Sequence, residues 1–179
     1  MTISKSQFIR GLKCYKSLWL SINRADLMSV DDTKDKFTEN VNNIFNLAKN
    51  IIPNGIDVKS DDIDFMINQT DELLKNGAKT IYNATFKTKN GVVSIDILNL
   101  NGDEVEIYDV KASTSIKEHY RYSATFEYKI LKQYGLFVNK VFIICVNKNY
   151  ERDEELDVFE LFNVIDITKE VLSSYKMVN

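Results

Sequence analysis

Two aspartates and one lysine near the middle of the chain have the residue types and the spacing for chemistry. Asp109 and Lys111 are separated by one residue in EVEIYDVKA, and Asp96 lies in the preceding segment VVSIDILNL. Val105 and Ile107 predict a strand whose apolar face is continued by the two charged residues. Carboxylate oxygens suit Mg²⁺ or Mn²⁺. A nearby lysine can orient a metal-bound water or stabilise charge on a phosphate, so the trio predicts metal-dependent phosphate chemistry.

The register of the predicted hairpin decides whether these side chains meet. With Asn101-Gly102 as a two-residue loop, Asp96 lies opposite Ile107, and Asp109 lies opposite Ser94. The two aspartates are then diagonal neighbours on one face, roughly 7–8 Å apart at the backbone, and can converge on one cation. The alternative interpretation is that both are ordinary polar residues at the end of a sheet, with the lysine as their salt-bridge partner.

The surrounding pattern predicts an α/β domain with a mixed central sheet flanked by helices. Helices are expected from about Ser4, at DKFTENVNNIFNLAKNII, at DDIDFMINQTDELLKNG, at roughly 115–134 and at DITKEVLSSYKM. The segments TIYNATFKT, VVSIDILNL and EVEIYDVKA form a three-strand meander joined by two Asn-Gly hairpins. KVFIICVN is a buried strand, parallel to EVEIYDVKA through a right-handed crossover, and VFELFNV is an edge strand.

Composition predicts one ordinary globular domain over residues 1–179, with 44% hydrophobic and 27% charged residues. The longest apolar runs, such as VFIICV, are far too short for a membrane span. The opening MTISKSQFIRGLK has no apolar signal region, so we expect a cytoplasmic protein without a membrane partner. The net charge of −3 is not that of a dedicated nucleic-acid-binding module, although the first helix is locally basic around Lys13.

The order of these motifs resembles the PD-(D/E)XK nuclease superfamily, and specifically its RecB-like branch. The resembling residues are Asp96, a hairpin and then Asp109-Val110-Lys111, preceded by a helix and followed by a strand–helix–strand unit. The opening SKSQFIRGLKCYKSLWL is similar to the N-terminal module of bacterial proteins of unknown function that carry a RecB-like domain. The resemblance implies a restriction-endonuclease-like core, hydrolysis of DNA phosphodiesters, Mg²⁺ or Mn²⁺ as cofactor and DNA as partner. It also implies a possible further domain or protein partner.

The resemblance also implies a role for each matching residue. Asp96 and Asp109 would bind the metal, and the backbone carbonyl of Val110 would complete the inner shell. Lys111 would be the catalytic lysine. Tyr122, on the helix after the Asp-x-Lys strand, would face solvent or DNA.

Several positions depart from the pattern of the family. Asn42 stands where a histidine ligand is expected, and Glu39, one turn away, could substitute for it. Glu127 stands where the family often carries a DNA-contacting glutamine, and would contact either the metal or the nucleic acid. Cys14 lacks the partners that an iron–sulfur cluster needs, so we expect no such cluster within this chain. These departures leave open a catalytically degenerate module that binds nucleic acid or protein, or a purely structural domain of a longer protein.

Overall fold

The computed structural model describes residues 2–27 and 34–177, and the side chains of residues 34–39 and 177 lie outside that description. The helices are α1 (Lys5–Lys13), α2 (Tyr15–Asn23), α3 (Lys34–Ala48), α4 (Ile63–Lys75), α5 (Glu118–Tyr134), α6 (Val158–Leu161) and α7 (Thr168–Met177). The strands are β1 (Ile3–Ser4), β2 (Ile56–Asp57), β3 (Thr80–Lys87), β4 (Gly91–Asn101), β5 (Glu104–Lys111), β6 (Val138–Val146) and β7 (Phe162–Asp166).

The strands form one mixed sheet in the order β2-β3-β4-β5-β6-β7, and β1 adds to β4 in parallel. Strands β3, β4 and β5 form the antiparallel meander, and α5 connects β5 to the parallel strand β6. Strand β7 closes one edge antiparallel to β6. The predicted α/β class with a mixed central sheet is therefore confirmed. No helix in the described part of the chain has the length and apolarity to cross a membrane.

Buried side chains form one cluster on each face of the sheet. The larger cluster lies under α5 and includes Phe86, Ile107 and Ile143. The smaller cluster contains Tyr82 and Tyr108, with Ala48 of α3 packed against them. Strands in the middle of the sheet are thus covered on both faces, which explains their nearly continuous apolar runs.

The first predicted helix is divided into two. Ser4 and Gln7 form the predicted capping box at the start of α1. Cys14, however, has an extended backbone (φ −162°, ψ 111°) and caps α2 by accepting a hydrogen bond from the Ser17 N–H. Helical spacing alone places Trp19 on a packed face, but its side chain is 58% exposed because α2 turns away from the sheet. A periodic pattern cannot reveal a break made by one extended residue.

The predicted register of the β4–β5 hairpin is wrong by two residues. The two-residue loop is Gly102-Asp103, and Leu98 lies opposite Ile107. Gly102 has φ +63°, which suits the first central position of a type II′ turn. The observed pairs run only from Ile97 opposite Tyr108 to Asn101 opposite Glu104, so Asp96 lies one residue beyond the ladder that the prediction assumed for it.

Candidate functional site

The site begins at an irregularity shared by β3 and β4. The residues on either side of Asn83 pair with Ile97 and Ile95, which places Asn83 across from Asp96. Asn83 has φ +57°, a conformation that costs a non-glycine residue about 1–3 kcal/mol and that clusters at functional sites. The strand predicted at TIYNATFKT is observed at Thr80–Lys87, and its pairing is interrupted at Asn83, opposite Asp96.

The same irregularity changes which β4 side chains face the larger core. Ile95 and Leu98 both belong to that core although three positions separate them, so the alternation changes phase between them. The prediction that Ser94 shares the face of Leu98 is therefore wrong. The Ser94 hydroxyl forms a hydrogen bond of 2.8 Å with the Thr85 hydroxyl. Asp96 lies at the phase change, where its side chain can reach the neighbouring strand.

Asp96 is joined to β5 through its side chain. Its Oδ2 accepts a hydrogen bond of 2.7 Å from the N–H of Val110. Burial raises the pKa of Asp96 above its ordinary value, and the negative charge of Asp109 adds to this effect, whereas Lys5 and Lys111 oppose it. Asp96 is thus held beside a second carboxylate at a position where a cation would relieve the repulsion.

Asp109 has one oxygen in ionic contacts and one oxygen free. Its side chain is 1% exposed, and its Oδ1 lies 2.6 Å from Lys111 Nζ and 3.6 Å from Lys5 Nζ. Among the described residues, nothing donates a conventional hydrogen bond to the buried Oδ2. Burial by itself raises the pKa of Asp109, but the attraction of Lys111 and Lys5 outweighs burial, so the pKa is lowered. Asp109 is therefore an ionised carboxylate with a free oxygen beside Asp96.

Lys111 is held as a cation. Its ammonium contacts Asp109 and lies 5.2 Å from the centroid of the Tyr120 ring. Burial lowers its pKa, but the attraction of Asp109, Asp96 and Glu127 together outweighs burial, so the pKa is raised. A lysine that stays protonated cannot take a proton from water at neutral pH; it can donate hydrogen bonds and stabilise negative charge.

A cavity of about 250 Å³ opens between this part of the sheet and α3. Its lining residues are Lys5, Val41, Asn42, Ile44, Phe45, Asn83, Asp96, Val110, Lys111 and Ala112. The cavity therefore brings together four of the residues that the sequence indicated, namely Asn42, Asp96, Val110 and Lys111. Asn42 is exposed on α3, and the side chain of the alternative ligand Glu39 lies outside the described residues.

Sequence reasoning missed Lys5, which pairs with Glu127. Lys5 Nζ lies 2.5 Å from Glu127 Oε1, and the Glu127 side chain is 1% exposed. Glu127 therefore forms a buried ion pair, because α5 turns this residue toward the sheet, and its contact with the metal or with nucleic acid stays a prediction. Burial raises the pKa of Glu127 to about 7, and the attraction of Lys5 opposes this rise. For Lys5, burial lowers the pKa but Glu127 and Asp109 outweigh it, so Lys5 stays charged while Glu127 titrates near neutrality.

The other predicted nucleic-acid contacts lie away from the cavity. Tyr122 is 37% exposed and donates a hydrogen bond to Glu118. Lys13 is exposed in the last turn of α1. Their surfaces are accessible, and their contact with DNA stays a prediction.

Two carboxylates suit a partly hydrated Mg²⁺ ion better than a metal ion that is coordinated entirely by protein side chains. In residues 2–27 and 34–177, no group of three or more His, Cys, Asp or Glu side chains is arranged to hold a metal by itself. Mg²⁺ commonly takes one or two protein carboxylates and completes its octahedron with water and substrate oxygens. The free Oδ2 of Asp109 beside Asp96 meets that requirement.

Comparisons with known proteins add little to this picture. No protein-family model matches the chain, and no curated protein matches it. A solved structure described as the crystal structure of SSO0001 is similar, with 12% identity and a TM-score of 0.34 over 99% of this chain and 76% of that chain. A TM-score of this size supports no inference about function.

Proposed function

We propose that this chain is a metal-dependent phosphodiesterase that acts on DNA. The observation that carries the proposal is the arrangement of the two Asp109 oxygens. Oδ2 is buried beside Asp96 without a hydrogen-bond partner, and Oδ1 contacts the ammonium of Lys111. A buried polar atom without a partner costs about 1–3 kcal/mol, and a bound cation would remove that cost. A small divalent cation is the ligand that two adjacent carboxylates favour.

The proposed roles follow from the contacts of each residue. Asp96 and Asp109 would hold a Mg²⁺ or Mn²⁺ ion, and the Val110 carbonyl is the third inner-shell group that the resemblance suggests. Such an ion, when bound, supplies Lewis-acid activation of a phosphate oxygen or of water. The ammonium of Lys111 donates hydrogen bonds and positive charge to the phosphate as negative charge develops.

Charge around the cavity favours a phosphate substrate. Lys5 and Lys111 both line it, and both are held protonated by their carboxylate partners. The cavity is bordered by α3, and its volume of about 250 Å³ is large enough for a phosphate group. DNA is the polymer that the sequence resemblance indicates.

The first experiment is a calorimetric titration of the protein with Mn²⁺. We expect one binding event that Asp109→Ala or Asp96→Ala abolishes. Asp103→Ala is the matched control, because Asp103 is exposed in the hairpin turn next to the same strand. Unchanged Mn²⁺ affinity in Asp109→Ala would refute the metal assignment.

The second experiment measures cleavage of single- and double-stranded DNA. Lys111→Met should reduce kcat by about 10²–10³-fold, the usual loss when one charge-stabilising donor is removed. Mn²⁺ binding should survive in this variant. Full cleavage activity in Lys111→Met would show that this lysine has no part in the reaction.

A binding module without activity is the second candidate. It is favoured by the exposed amide of Asn42 at the position where a stronger ligand is expected. DNA binding that persists without Mn²⁺ binding and without cleavage would select this candidate.

A further inference from the structure

Lys5 contacts one carboxylate of the proposed metal site, Asp109, through Oδ1, and also contacts Glu127. Its Nζ lies 2.5 Å from Glu127 Oε1 and 3.6 Å from Asp109 Oδ1, and both of these side chains are 1% exposed. Asp109 therefore presents Oδ1 to two ammonium groups, Lys111 at 2.6 Å and Lys5 at 3.6 Å, and keeps Oδ2 beside Asp96. Its two oxygens thus face two cation positions, one of which is filled by side chains of the protein.

We propose that the ammonium of Lys5 takes the place of a second divalent cation, so that this site binds one metal ion and not two. The inference deepens the proposed function and rests on it for the identity of the first ion. Two-metal phosphoryl-transfer sites hold their ions about 3.5–4 Å apart. Here Glu127 and Asp109 Oδ1 lie where the oxygens of a second ion's site would be, and the Lys5 ammonium contacts both.

The backbone around Lys5 holds it in this position. It is the first residue of α1, and the reciprocal capping bonds of Ser4 and Gln7 define the start of that helix. The preceding strand β1 pairs with the start of β4. Phe8 stacks on Phe126 of α5 with ring centroids 4.5 Å apart. Lys5 is therefore tied on both sides to the elements that carry Asp96 and Glu127.

The charge count supports a single metal ion. Three carboxylates, Asp96, Asp109 and Glu127, face two ammonium groups, Lys5 and Lys111, in the described part of the cluster. One divalent ion changes the sum from −1 to +1, which a bound phosphate diester then neutralises. A second divalent ion beside both ammonium groups would leave an uncompensated excess of positive charge in a buried site.

The test is a titration with MnCl₂ in which free Mn²⁺ is followed by electron paramagnetic resonance. The wild-type protein should bind one ion. Lys5→Met should bind two ions, because Glu127 loses its ammonium partner and Asp109 Oδ1 keeps only its contact with Lys111. Lys5→Met/Glu127→Gln should return to one ion. Lys16→Met, on the exposed surface of α2, is the matched control and should bind one ion.

Two bound ions in the wild-type protein, or one in Lys5→Met, would overturn the proposal. If the wild-type protein binds no ion, the proposed function fails, and Lys5→Met then decides the inference separately: one new ion supports it and none overturns it. Lys5→Met is expected to fold less stably. Should it not fold, Lys5→Gln replaces it in the same titration, since its amide can still donate a hydrogen bond, and the same count of ions decides.

Discussion

Removing the Lys5 ammonium should destabilise the protein by an amount that grows with pH. In the folded protein Lys5 neutralises Glu127 and Asp109, whose side chains are each 1% exposed. Removing one partner of a buried ion pair commonly costs about 3–5 kcal/mol. The Lys5 side chain is 27% exposed, and Asp109 keeps its contact with Lys111. We therefore expect Lys5→Met to lower the free energy of unfolding by about 3 kcal/mol at pH 8.

The pH dependence follows from the pKa of Glu127. Burial raises that pKa from 4.5 to about 7, and Lys5 limits the rise. Between pH 4.5 and the folded pKa, Glu127 keeps its proton in the folded protein but is ionised in the unfolded chain. The free energy of unfolding therefore falls as the pH rises through this range, and it levels off above the folded pKa. Without Lys5 the folded pKa moves above 7, and stability continues to fall, by at most about 1.4 kcal/mol for each further pH unit.

Urea denaturation followed by far-UV circular dichroism, at pH 6, 7, 8 and 9 in EDTA, measures this effect. The destabilisation by Lys5→Met should increase by about 1–3 kcal/mol between pH 6 and pH 9. In the Glu127→Gln background the effect of the same substitution should depend less on pH, because only Asp96 is left with a raised pKa that Lys5 opposes. A destabilisation by Lys5→Met that is constant with pH, or that decreases, would refute the ion pair as described.

Three further predictions concern the framework, and each is measured by urea denaturation. Thr70→Val should cost about 1–3 kcal/mol, because the fully buried hydroxyl accepts the Thr85 N–H at 2.9 Å; a near-neutral effect would contradict this. Gly91→Ala should cost about 1–3 kcal/mol, because the added Cβ would lie 2.5 Å from the Phe126 ring, and a neutral result would show that the ring moves freely. Asp62→Ala should cost about 1 kcal/mol through loss of the α4 cap, and Asp62→Asn should restore it.

Local patterns account for the elements that were predicted correctly. The capping box of α1, the three-strand meander and the buried strand β6 each depend on residues close together in the chain. Strand β6 was assigned as parallel to β5 because a strand–helix–strand connection is almost always a right-handed crossover between parallel strands. These features needed no knowledge of distant contacts.

The errors share one physical origin. The turn at Gly102 and the phase change at Asp96 each alter the backbone by one or two residues, which side-chain alternation cannot detect. Asn83 causes the same difficulty on β3, because its left-handed conformation carries no composition signal strong enough to interrupt a strand. Only the observed backbone pairing of β3, β4 and β5 establishes the register of these strands.

From the sequence alone, the identities and order of Asp96, Asp109 and Lys111 already indicated a cluster of charges on a central sheet, because strand periodicity and hairpin signals are local. The tertiary structure alone decided that Lys5, 122 residues away from Glu127 along the chain, completes this cluster. An ion pair between an N-terminal helix and α5 depends on how both pack against the sheet. Packing also decided that one oxygen of Asp109 is neutralised by lysine and the other is left free.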